Sequence, residues 1–598
     1  MDFLDYYRDN LLYIRSLAAE FAGEFPKIAG RLSISEFECQ DPYVERLLEG
    51  TAFLSARVEK KLDEGYERLL ESVLNSMAPS ALYPIPSGAV LELALDYNNE
   101  KARGGGILER GTVFDAFIPT INTPCRFATL MDLPLSPLSL TGAEYVTRDL
   151  SGFGIRDEKA QAALHISFSS GEAINRNGDT LFFLNLPEDG ASLLLRQIMT
   201  GRLACYARYD GESYAPLDVN FEMPFNVDTR TLYQGLKGNV RGLRLLQDFM
   251  AYPAFFKFFR IKDLPLRFTG RDSTLDLVIT FRHRELSLAT EVKNSSVKLN
   301  CAPVLNLFPK RSDRIPLERE AYEYHIVPER AAMRDFEVIN IRSLEFFNER
   351  NETLFQAAGF YEDDFLQGGM ERNFFSQHRR RSLFTTKAVQ RSSYDGSEMY
   401  VTFSSQEHSL EGAYQFAAEM TCTNRDLPLL ISSDAALITN SPVLTGASFL
   451  TRPSRPGYSN IERGDKADFT KLSHILYNLS AMLWQEGEFP LEMFKTMLRN
   501  YRIRSDEETF RMADGIVKME SSPVTFRFVR KGAVFFERGW KVDITLDETA
   551  YAGIGHYIFA FVIAEILRSF TPLNSMLEVN VHTLQTGYIT TWKTTLEN

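Results

Sequence analysis

Residues 37–64 read FECQDPYVERLLEGTAFLSARVEKKLDE, and this stretch decides how the chain begins to fold. Asp41 and Pro42 form a helix start signal, because Asp accepts hydrogen bonds from first-turn amides and Pro needs no donor there. Apolar residues then recur every three or four positions, which predicts one stripe on a helix ending near Ser76, roughly 50 Å long. The candidate contact residues on this stripe are Val44, Leu47, Leu48, Leu54, Val58 and Leu62.

The stripe is too large to stay in contact with water without a cover. Burying its large apolar side chains contributes on the order of 15 kcal/mol, at ~1.5–3 kcal/mol each. Periodicity alone leaves two interpretations open. The helix lies in the core of the chain's own first domain, or partner chains cover it in an assembly.

Composition bounds the class of protein. A chain of 598 residues forms two to four domains, because a single core rarely grows beyond ~250–300 residues. The net charge of −13 is mild over this length and argues against nucleic acid as the main partner. The 45 Phe and 25 Tyr residues, many of them in alternating runs, predict extensive β-sheet.

The sequence predicts a cytoplasmic protein. Its first residues, MDFLDYYRDNLLYIRSL, are acidic and amphipathic, unlike a signal peptide. The strongest apolar run, Tyr557–Leu567, is too short to cross a bilayer. Five cysteines lie far apart without metal-ligand spacing, as expected in a reducing compartment: Cys39, Cys125, Cys205, Cys301 and Cys422.

The sequence pattern changes twice along the chain and predicts an α+β fold. Residues 1–85 are predicted to form an N-terminal helical assembly segment that ends in a proline-rich stretch. Residues 86–335 alternate apolar and polar positions between turn signals, which predicts a β-rich middle domain. Residues 336–598 mix both patterns and are predicted to form a mixed α+β C-terminal domain.

The same patterns predict individual elements. Besides the long helix, the predicted helices are 2–24, 191–200, 241–251, 466–487, 489–498 and 553–570. A short apolar strand is predicted at 429–431. The polar stretch 361–396 is predicted to be a long loop, and its basic cluster at 378–391 to be solvated charge, with a protein contact as the second interpretation.

The sequence contains none of the common motifs for catalysis or cofactor binding. It lacks a P-loop, a dinucleotide-binding glycine fingerprint, HExxH and GxSxG. We therefore predict no catalytic residue, no cofactor and no metal site. A cytoplasmic cysteine-dependent hydrolase remains the alternative, because partners for a thiol can come from anywhere in a fold.

Two polar motifs are predicted to hold the fold together. In TCTNRDLP (421–428), the short side chains of Asn424 and Asp426 can close a turn, and Arg425 can bridge carbonyls or a carboxylate. A partner contact is the second interpretation of this motif. In ERGWKVDITLDE (537–548), Gly539 precedes an alternating strand, and Asp547 is placed to cap the next element.

Several longer strings resemble a known family. In chain order they are KIAGRL (27–32), the opening stretch (37–64), RGLRLLQDFMAYPAFFKFF (241–259), VKLNCAPVLNLF (297–308), TCTNRDLP (421–428), FFERGWKVDITLDE (535–548) and LRSFTPLNS (567–575). Together they span nearly the whole chain. They resemble the TssF family, also called ImpG or VasA, whose members are baseplate subunits of the bacterial type VI secretion system.

The resemblance implies a structural protein, similar to the wedge proteins of contractile-phage baseplates, with no catalytic residue or cofactor. The implied partners are TssG, which joins two TssF copies, then TssK, TssE, the VgrG spike hub and the sheath. The implied location is the cytoplasmic face of the inner membrane, which the protein reaches only through the membrane complex. For the stripe from Val44 to Leu62, the resemblance favours a helical bundle formed by several chains.

Overall fold

A computed structural model of the chain divides it into two compact units. One comprises Met1–Leu82 with Ile461–Tyr477, and the other comprises Tyr83–Asn460 with Asn478–Asn598. The residues that the structure describes are 3–32, 41–77, 82–119, 121–147, 150–155, 157–226, 241–270, 273–318, 320–360, 373–382, 391–404, 412–432, 434–458, 484, 487–500, 506–530, 533–572 and 575–594.

Ten α-helices are described. They are α1 (Phe3–Glu24), α2 (Pro26–Arg31), α3 (Pro42–Met77), α4 (Glu100–Arg103), α5 (Glu188–Arg196), α6 (Arg241–Ala251), α7 (Leu286–Glu291), α8 (Leu491–Asn500), α9 (Asp506–Asp514) and α10 (His556–Phe570). All predicted helices recur in this set except 466–487, most of which lies outside the described residues. None of the helices in the described part of the chain is long and apolar enough to cross a membrane.

The long helix α3 begins where the sequence places its start. The Asp41 carboxylate accepts a hydrogen bond from the Tyr43 amide at 2.9 Å, and Pro42 is the first helical residue. The helix is 36 residues long, which corresponds to about 54 Å. Its length and its start therefore confirm the prediction made from the opening stretch.

All of the described strands lie in the second unit, beside helices in both units, which confirms the α+β fold. In chain order they are β1 (Pro84–Ile85), β2 (Gly88–Leu95), β3 (Ile107–Leu108), β4 (Val113–Ile118), β5 (Ile121–Thr129), β6 (Leu133–Pro134), β7 (Ser139–Val146), β8 (Ala162–Ser170), β9 (Ile174–Leu184), β10 (Arg202–Tyr209), β11 (Ala215–Pro216), β12 (Asn220–Glu222), β13 (Phe258–Phe268), β14 (Ser273–Phe281), β15 (Val297–Lys298) and β16 (Cys301–Leu305). They continue with β17 (Phe308–Arg311), β18 (Ile315–Pro316), β19 (Tyr324–Ile326), β20 (Glu337–Phe347), β21 (Thr353–Gly359), β22 (Asn373–Arg381), β23 (Ser397–Ser404), β24 (Gln415–Thr423), β25 (Leu437–Thr439), β26 (Leu444–Phe449), β27 (Gly457–Tyr458), β28 (Gly487–Glu488), β29 (Ile516–Arg530), β30 (Ala533–Leu546), β31 (Met576–Thr583) and β32 (Gly587–Lys593).

A closed barrel of six strands, in the order β16-β2-β26-β25-β4-β5, lies in the second unit. Closure removes the free edges that an open sheet exposes, and the barrel interior is filled by side chains such as Phe114 and Phe127, both fully buried. Strands β25 and β26 follow residue 335, whereas the other four precede it. The predicted division into three parts stays a prediction. The barrel contains strands from both the predicted middle domain and the predicted C-terminal domain.

The other large sheets of this unit have the orders β11-β10-β14-β8-β7, β12-β13-β9-β15, β17-β24-β20-β21-β22-β23-β19 and β28-β29-β30-β31-β32.

Helix α10 is apolar on nearly all sides, and twelve of its fifteen residues are buried. A helix of this kind has to lie in the core. Gly242 of α6 allows close approach, because a Cβ there would lie 2.8 Å from the Ile566 Cα of α10.

Two local predictions are wrong. Strand β22 lies inside the stretch predicted as a loop, because its basic residues find partners: Arg379 donates to the Val338 and Ile339 carbonyls, both at 2.8 Å. The segments 361–372 and 383–390 of that stretch lie outside the described residues. The strand predicted at 429–431 is mostly a 3-10 helix, Leu427–Leu430, because Pro428 lacks the amide that a strand needs and suits a first helical turn.

Candidate partner-binding site

One face of α3 is small and polar and packs against α1. Ala52 and Ala56 are completely buried on this face. Glu59 lies one turn further along the same face and accepts a hydrogen bond from the Asn10 side chain of α1 at 2.6 Å. The contact with α1 is therefore made by alanines and carboxylates together with Phe53, whose ring packs edge-on against Phe3. It leaves Leu47, Leu54, Val58 and Leu62 exposed.

The predicted apolar stripe is mostly exposed. Val44 and Leu48 are half-buried. The other four predicted contact residues are more than half exposed: Leu47 at 70%, Leu54 at 64%, Val58 at 60% and Leu62 at 69%. Burying a side chain of this size stabilises by ~1.5–3 kcal/mol. Because these four side chains are exposed, burial against a partner would contribute this free energy to binding.

The exposed face continues beyond the predicted residues. Tyr43 is 83% exposed and lies one turn before Leu47, on the same face of α3. Tyr43 was not among the residues predicted for the interface, although its i, i+4 spacing to Leu47 was a readable signal. Leu4 and Leu12 of α1 are also exposed, at 67% and 58%. Exposed apolar residues that share one helix face, as Tyr43, Leu47, Leu54 and Leu62 do on α3, make that face a candidate protein-protein interface.

Asn424 joins segments that are far apart in the chain. Its side-chain oxygen accepts hydrogen bonds from the Arg126 amide at 3.0 Å and from the Asn306 side chain at 2.7 Å. The backbone amide of Asn424 donates to the Asn306 side-chain oxygen at 2.6 Å. Because Asn424 is completely buried, these bonds fasten the end of β24 to the barrel strand β5 and to the turn after β16.

Arg425 and Glu398 form a buried ion pair. The Arg425 guanidinium donates to the Glu398 carboxylate at 2.6 Å and to the Ser397 carbonyl at 3.0 Å. Burial alone raises the pKa of Glu398, but its hydrogen bond with His325 and the charge of Arg425 outweigh burial and hold that pKa below its usual value. Arg425 adopts φ 52°, a left-handed conformation that this set of contacts stabilises.

A second buried carboxylate, which was not predicted from the sequence, belongs to the same network. Glu337 is 1% exposed and accepts hydrogen bonds from the Tyr394 hydroxyl at 2.6 Å, from the Ser397 amide at 2.8 Å and from the Tyr458 hydroxyl. Burial and then the charge of Glu337 raise the pKa of Tyr394 well above its ordinary value. Spacing gave no signal for this residue, because its partners lie 57 to 121 positions away.

The lowered pKa of Glu398 makes stability depend on pH. Since its folded pKa lies below the unfolded value, the charged carboxylate contributes stability above about pH 4.5, and this contribution is lost as the pH falls through the folded pKa. We expect wild-type protein to be more stable than Glu398→Gln at pH 7 and the difference to shrink at about pH 4 and below. Urea unfolding of both proteins across this range measures the difference. A gap that stays constant or widens on acidification would contradict the assignment.

The two remaining residues of the predicted motifs, Asp426 and Gly539, have different roles: Asp426 makes a hydrogen bond, and Gly539 allows close packing. The Asp426 carboxylate accepts a hydrogen bond from the Ser392 hydroxyl at 2.7 Å. Gly539 is the position at which β31 begins to pair with β30. A Cβ there would lie 2.1 Å from the Met576 carbonyl oxygen and 2.7 Å from the Phe526 ring, so only glycine fits. As predicted, Asp547 caps the element that follows the strand. Its carboxylate accepts a hydrogen bond from the Thr549 amide at 3.0 Å, at the start of the 3-10 helix Glu548–Tyr551.

Gly539→Ala is expected to destabilise the C-terminal sheet by ~1–3 kcal/mol, because the new methyl group meets backbone that cannot move aside without breaking the pairing of β30 with β31. The midpoint of urea unfolding measures this loss. Gly270→Ala is the matched control, because a Cβ at Gly270 meets nothing within 4 Å, and it is expected to leave the midpoint unchanged. Equal midpoints for the two variants would contradict the packing argument.

A cavity of about 700 Å³ opens beside this network. Its basic side chains already have carboxylate partners: Arg126 pairs with Asp115, Lys310 with Glu329 and Arg391 with Asp335. The cavity therefore offers no uncompensated charge for an anionic cofactor. In the described part of the chain, no group of three or more His, Cys, Asp and Glu side chains is arranged to hold a metal ion.

The four described cysteines lack the properties of catalytic thiols. Burial raises the pKa of Cys125 and of Cys205 to about 12. Cys301 and Cys422 are also buried, and burial raises their pKa as well. A nucleophilic thiol is instead accessible and has a lowered pKa. Cys39 lies outside the described residues.

One serine, histidine and aspartate meet in the second unit, but not as a catalytic triad. The His165 Nε2 atom lies 3.2 Å from both the Ser167 hydroxyl and the Asp276 carboxylate. A triad needs these two groups on opposite ring nitrogens, so that the histidine relays between them. Here the Ser167 hydroxyl donates directly to Asp276 at 2.5 Å. The cluster holds strands β8 and β14 together and leaves no base for the serine.

The family model "Type VI secretion system, TssF" matches residues 1–597. The chain belongs to the TssF family. A curated relative, the type VI secretion system component TssF1 of Pseudomonas aeruginosa, is 32% identical over 614 residues, which cover 99% of this chain and 98% of the relative. The resemblance drawn from the seven sequence blocks is thus confirmed over the whole chain.

Solved structures show the same fold. A TssK-TssF-TssG baseplate subcomplex contains a chain that matches with a TM-score of 0.71 and 20% identity, covering 93% of this chain and 99% of that one. A baseplate complex from the type VI secretion system matches with a TM-score of 0.56 and 18% identity, covering 99% and 98%. These likenesses confirm the predicted baseplate wedge-like α+β architecture.

Proposed function

We propose that this chain is a structural subunit of the type VI secretion baseplate wedge and that it binds TssG and TssK. The family assignment over residues 1–597 carries this proposal, and a homologous fold occurs in a complex of TssK, TssF and TssG. The alternative of a cysteine-dependent hydrolase is not supported, because the described thiols are buried and protonated.

The exposed face of α3 is the proposed TssG-binding surface. Leu47, Leu54, Val58 and Leu62 expose their side chains to solvent along residues 47–62 of the helix. Helix α1 already occupies the opposite, alanine-containing face. A long helix with one free apolar face is suited to a bundle of helices from several chains. The half-buried Val44 and Leu48 border this surface.

The finer architecture of the wedge is also part of the proposal. Two copies of this chain join one TssG, and the unit then binds TssK, TssE, the VgrG spike hub and the sheath. The assembly lies at the cytoplasmic face of the inner membrane and meets the membrane only through other proteins. The chain acts without a cofactor and without nucleic acid, which agrees with its net charge of −13.

The proposal is tested by co-expressing the chain with TssG and TssK and measuring native masses. The expected result is a complex of two copies of this chain with one TssG, to which TssK adds. A chain that purifies as a stable monomer and ignores TssG would contradict the proposal. A complex of different stoichiometry would retain the structural role and overturn the two-copy arrangement.

A further inference from the structure

The apolar stripe of α3 has charge along one border only, and that charge is positive. Three basic residues each come one position before an exposed apolar residue of the stripe: Arg46 before Leu47, Arg57 before Val58 and Lys61 before Leu62. Because one position turns an α-helix by about 100°, equal offsets place all three on the same border. All three are exposed, and together they are called the basic border.

The carboxylates of the same stretch lie on the other side of α3, where they contact α1. Glu59 accepts a hydrogen bond from the Asn10 side chain at 2.6 Å, and Asp63 accepts one from the Tyr6 hydroxyl at 2.8 Å. Glu45 forms an ion pair with α1 as well. The contact with α1 therefore neutralises or satisfies acidic groups and leaves the basic border in solvent.

Two cations of the basic border have no counterion. The side chains of Arg57 and Lys61 form no ion pair in the part of the chain that the structure describes. Arg46 does pair with Glu49, one turn along the helix, but its side chain is 80% exposed, and a pair this exposed is weak. Arg57 and Lys61 therefore present uncompensated positive charge directly beside the apolar stripe.

We infer that the helix that covers α3 carries carboxylates along one border of its own apolar face, opposite Arg57 and Lys61. Charged residues that flank an apolar seam form ion pairs between helices and select the partner. A helix with basic residues at these positions is rejected, because it brings like charges together. The inference rests on the proposed function, which makes this face the TssG-binding surface, and it adds the chemistry of the segment that fits there.

The one-sided charge favours a partner helix over an anionic membrane. A helix that lies flat on a membrane brings both of its borders equally close to the lipid head groups. Only one border of α3 is basic, because Thr51 and Ser55 lie on the other. A partner helix can meet the two borders with different residues, whereas a lipid surface cannot.

The affinity of purified TssG for the full chain, at low and at high salt, tests the inference. The border variant combines Arg57→Glu with Lys61→Glu. The control combines Arg284→Glu with Lys293→Glu, the same changes at exposed residues of the second unit that also form no ion pair in the described part of the chain. At about 0.05 M salt we expect TssG to bind the border variant at least tenfold more weakly than wild type and the control like wild type. The difference should shrink by about 0.5 M salt, because salt screens exposed charges.

Cross-linking with a water-soluble carbodiimide identifies the partner groups, because it joins a lysine amine only to a carboxylate in contact with it. In the complex we expect Lys61 to be joined to an Asp or Glu of TssG and Lys293 not to be. Lys61→Arg keeps the positive charge, so it should bind TssG like wild type and lose this cross-link.

Three results would overturn the inference. They are a border variant that binds TssG like wild type or more tightly, a complex in which Lys61 forms no cross-link to TssG, and a border variant that loses only binding to phosphatidylserine vesicles. If the border variant unfolds, Lys61→Glu alone is measured and is expected to weaken binding at least threefold. Failure of the proposed function is distinguishable, because Leu54→Asp would then leave TssG binding intact. If Leu54→Asp abolishes binding and the border variant does not weaken it, only the inference about charge fails.

Discussion

Leu54→Asp is expected to abolish capture of TssG while the chain stays folded. The side chain is 64% exposed on α3, so its loss should change the free energy of unfolding by no more than ~0.5 kcal/mol. In the assembled wedge the same side chain is proposed to be buried against the partner, where a charge costs ~2 kcal/mol or more, or about 30-fold in affinity. Pull-down with tagged TssG and urea unfolding of the same preparation measure both quantities.

The matched control is Leu286→Asp, which makes the same substitution at a leucine of the second unit that is 63% exposed. It is expected to retain TssG. If both variants bind TssG like wild type, the α3 face is not the interface. If Leu54→Asp unfolds the chain before binding is lost, the stripe belongs to the chain's own core.

Arg425→Met is expected to be among the most destabilising single substitutions in the chain. It leaves the Glu398 carboxylate, 8% exposed, without its cation, and breaking a buried pair in this way costs ~3–5 kcal/mol. Urea or thermal unfolding measures the loss. The double variant with Glu398→Met removes the stranded charge and is expected to recover part of the stability.

Arg380→Met is the control for this second prediction. Arg380 also pairs with a carboxylate, that of Glu323 at 2.7 Å, but its side chain is 46% exposed. Water screens an exposed pair, so its loss should cost at most ~1 kcal/mol. Equal losses for Arg425→Met and Arg380→Met would show that burial does not set the strength of the Arg425 pair. A double variant less stable than Arg425→Met would contradict the stranded-charge explanation.

Local patterns in the sequence predicted the helices well. The start of α3 follows from Asp41 and Pro42, and its apolar face follows from a repeat of three and four. Which face α1 covers could not be read from that repeat. The face that α1 covers is set by contacts such as the hydrogen bond between Asn10 and Glu59, which lie 49 positions apart. These contacts leave the face that contains Leu47 and Leu54 exposed to solvent.

Long-range contacts account for most of what the sequence did not reveal. The barrel pairs Leu91 with Phe449, and the Asn306–Asn424 bond joins residues 118 positions apart. The turn motif drew attention to Asn424 and Arg425, since polar residues that cap turns have local signatures. Glu398, the partner of Arg425, and Glu337 of the same network have no such signature. The basic cluster near 380 was misread for the same reason, because its carboxylate and carbonyl partners are remote in sequence.

The accessibility of residue 54 in the free chain and in the complex tests the central claim most directly. A Leu54→Cys variant in a Cys39→Ser background presents one exposed thiol on α3, while the other four cysteines are buried. Maleimide is expected to label it quickly in the free chain and at least tenfold more slowly after TssG binds. Leu286→Cys in the same background should react equally fast in both states. A Leu54→Cys thiol that reacts as fast in the complex as in the free chain would contradict the account.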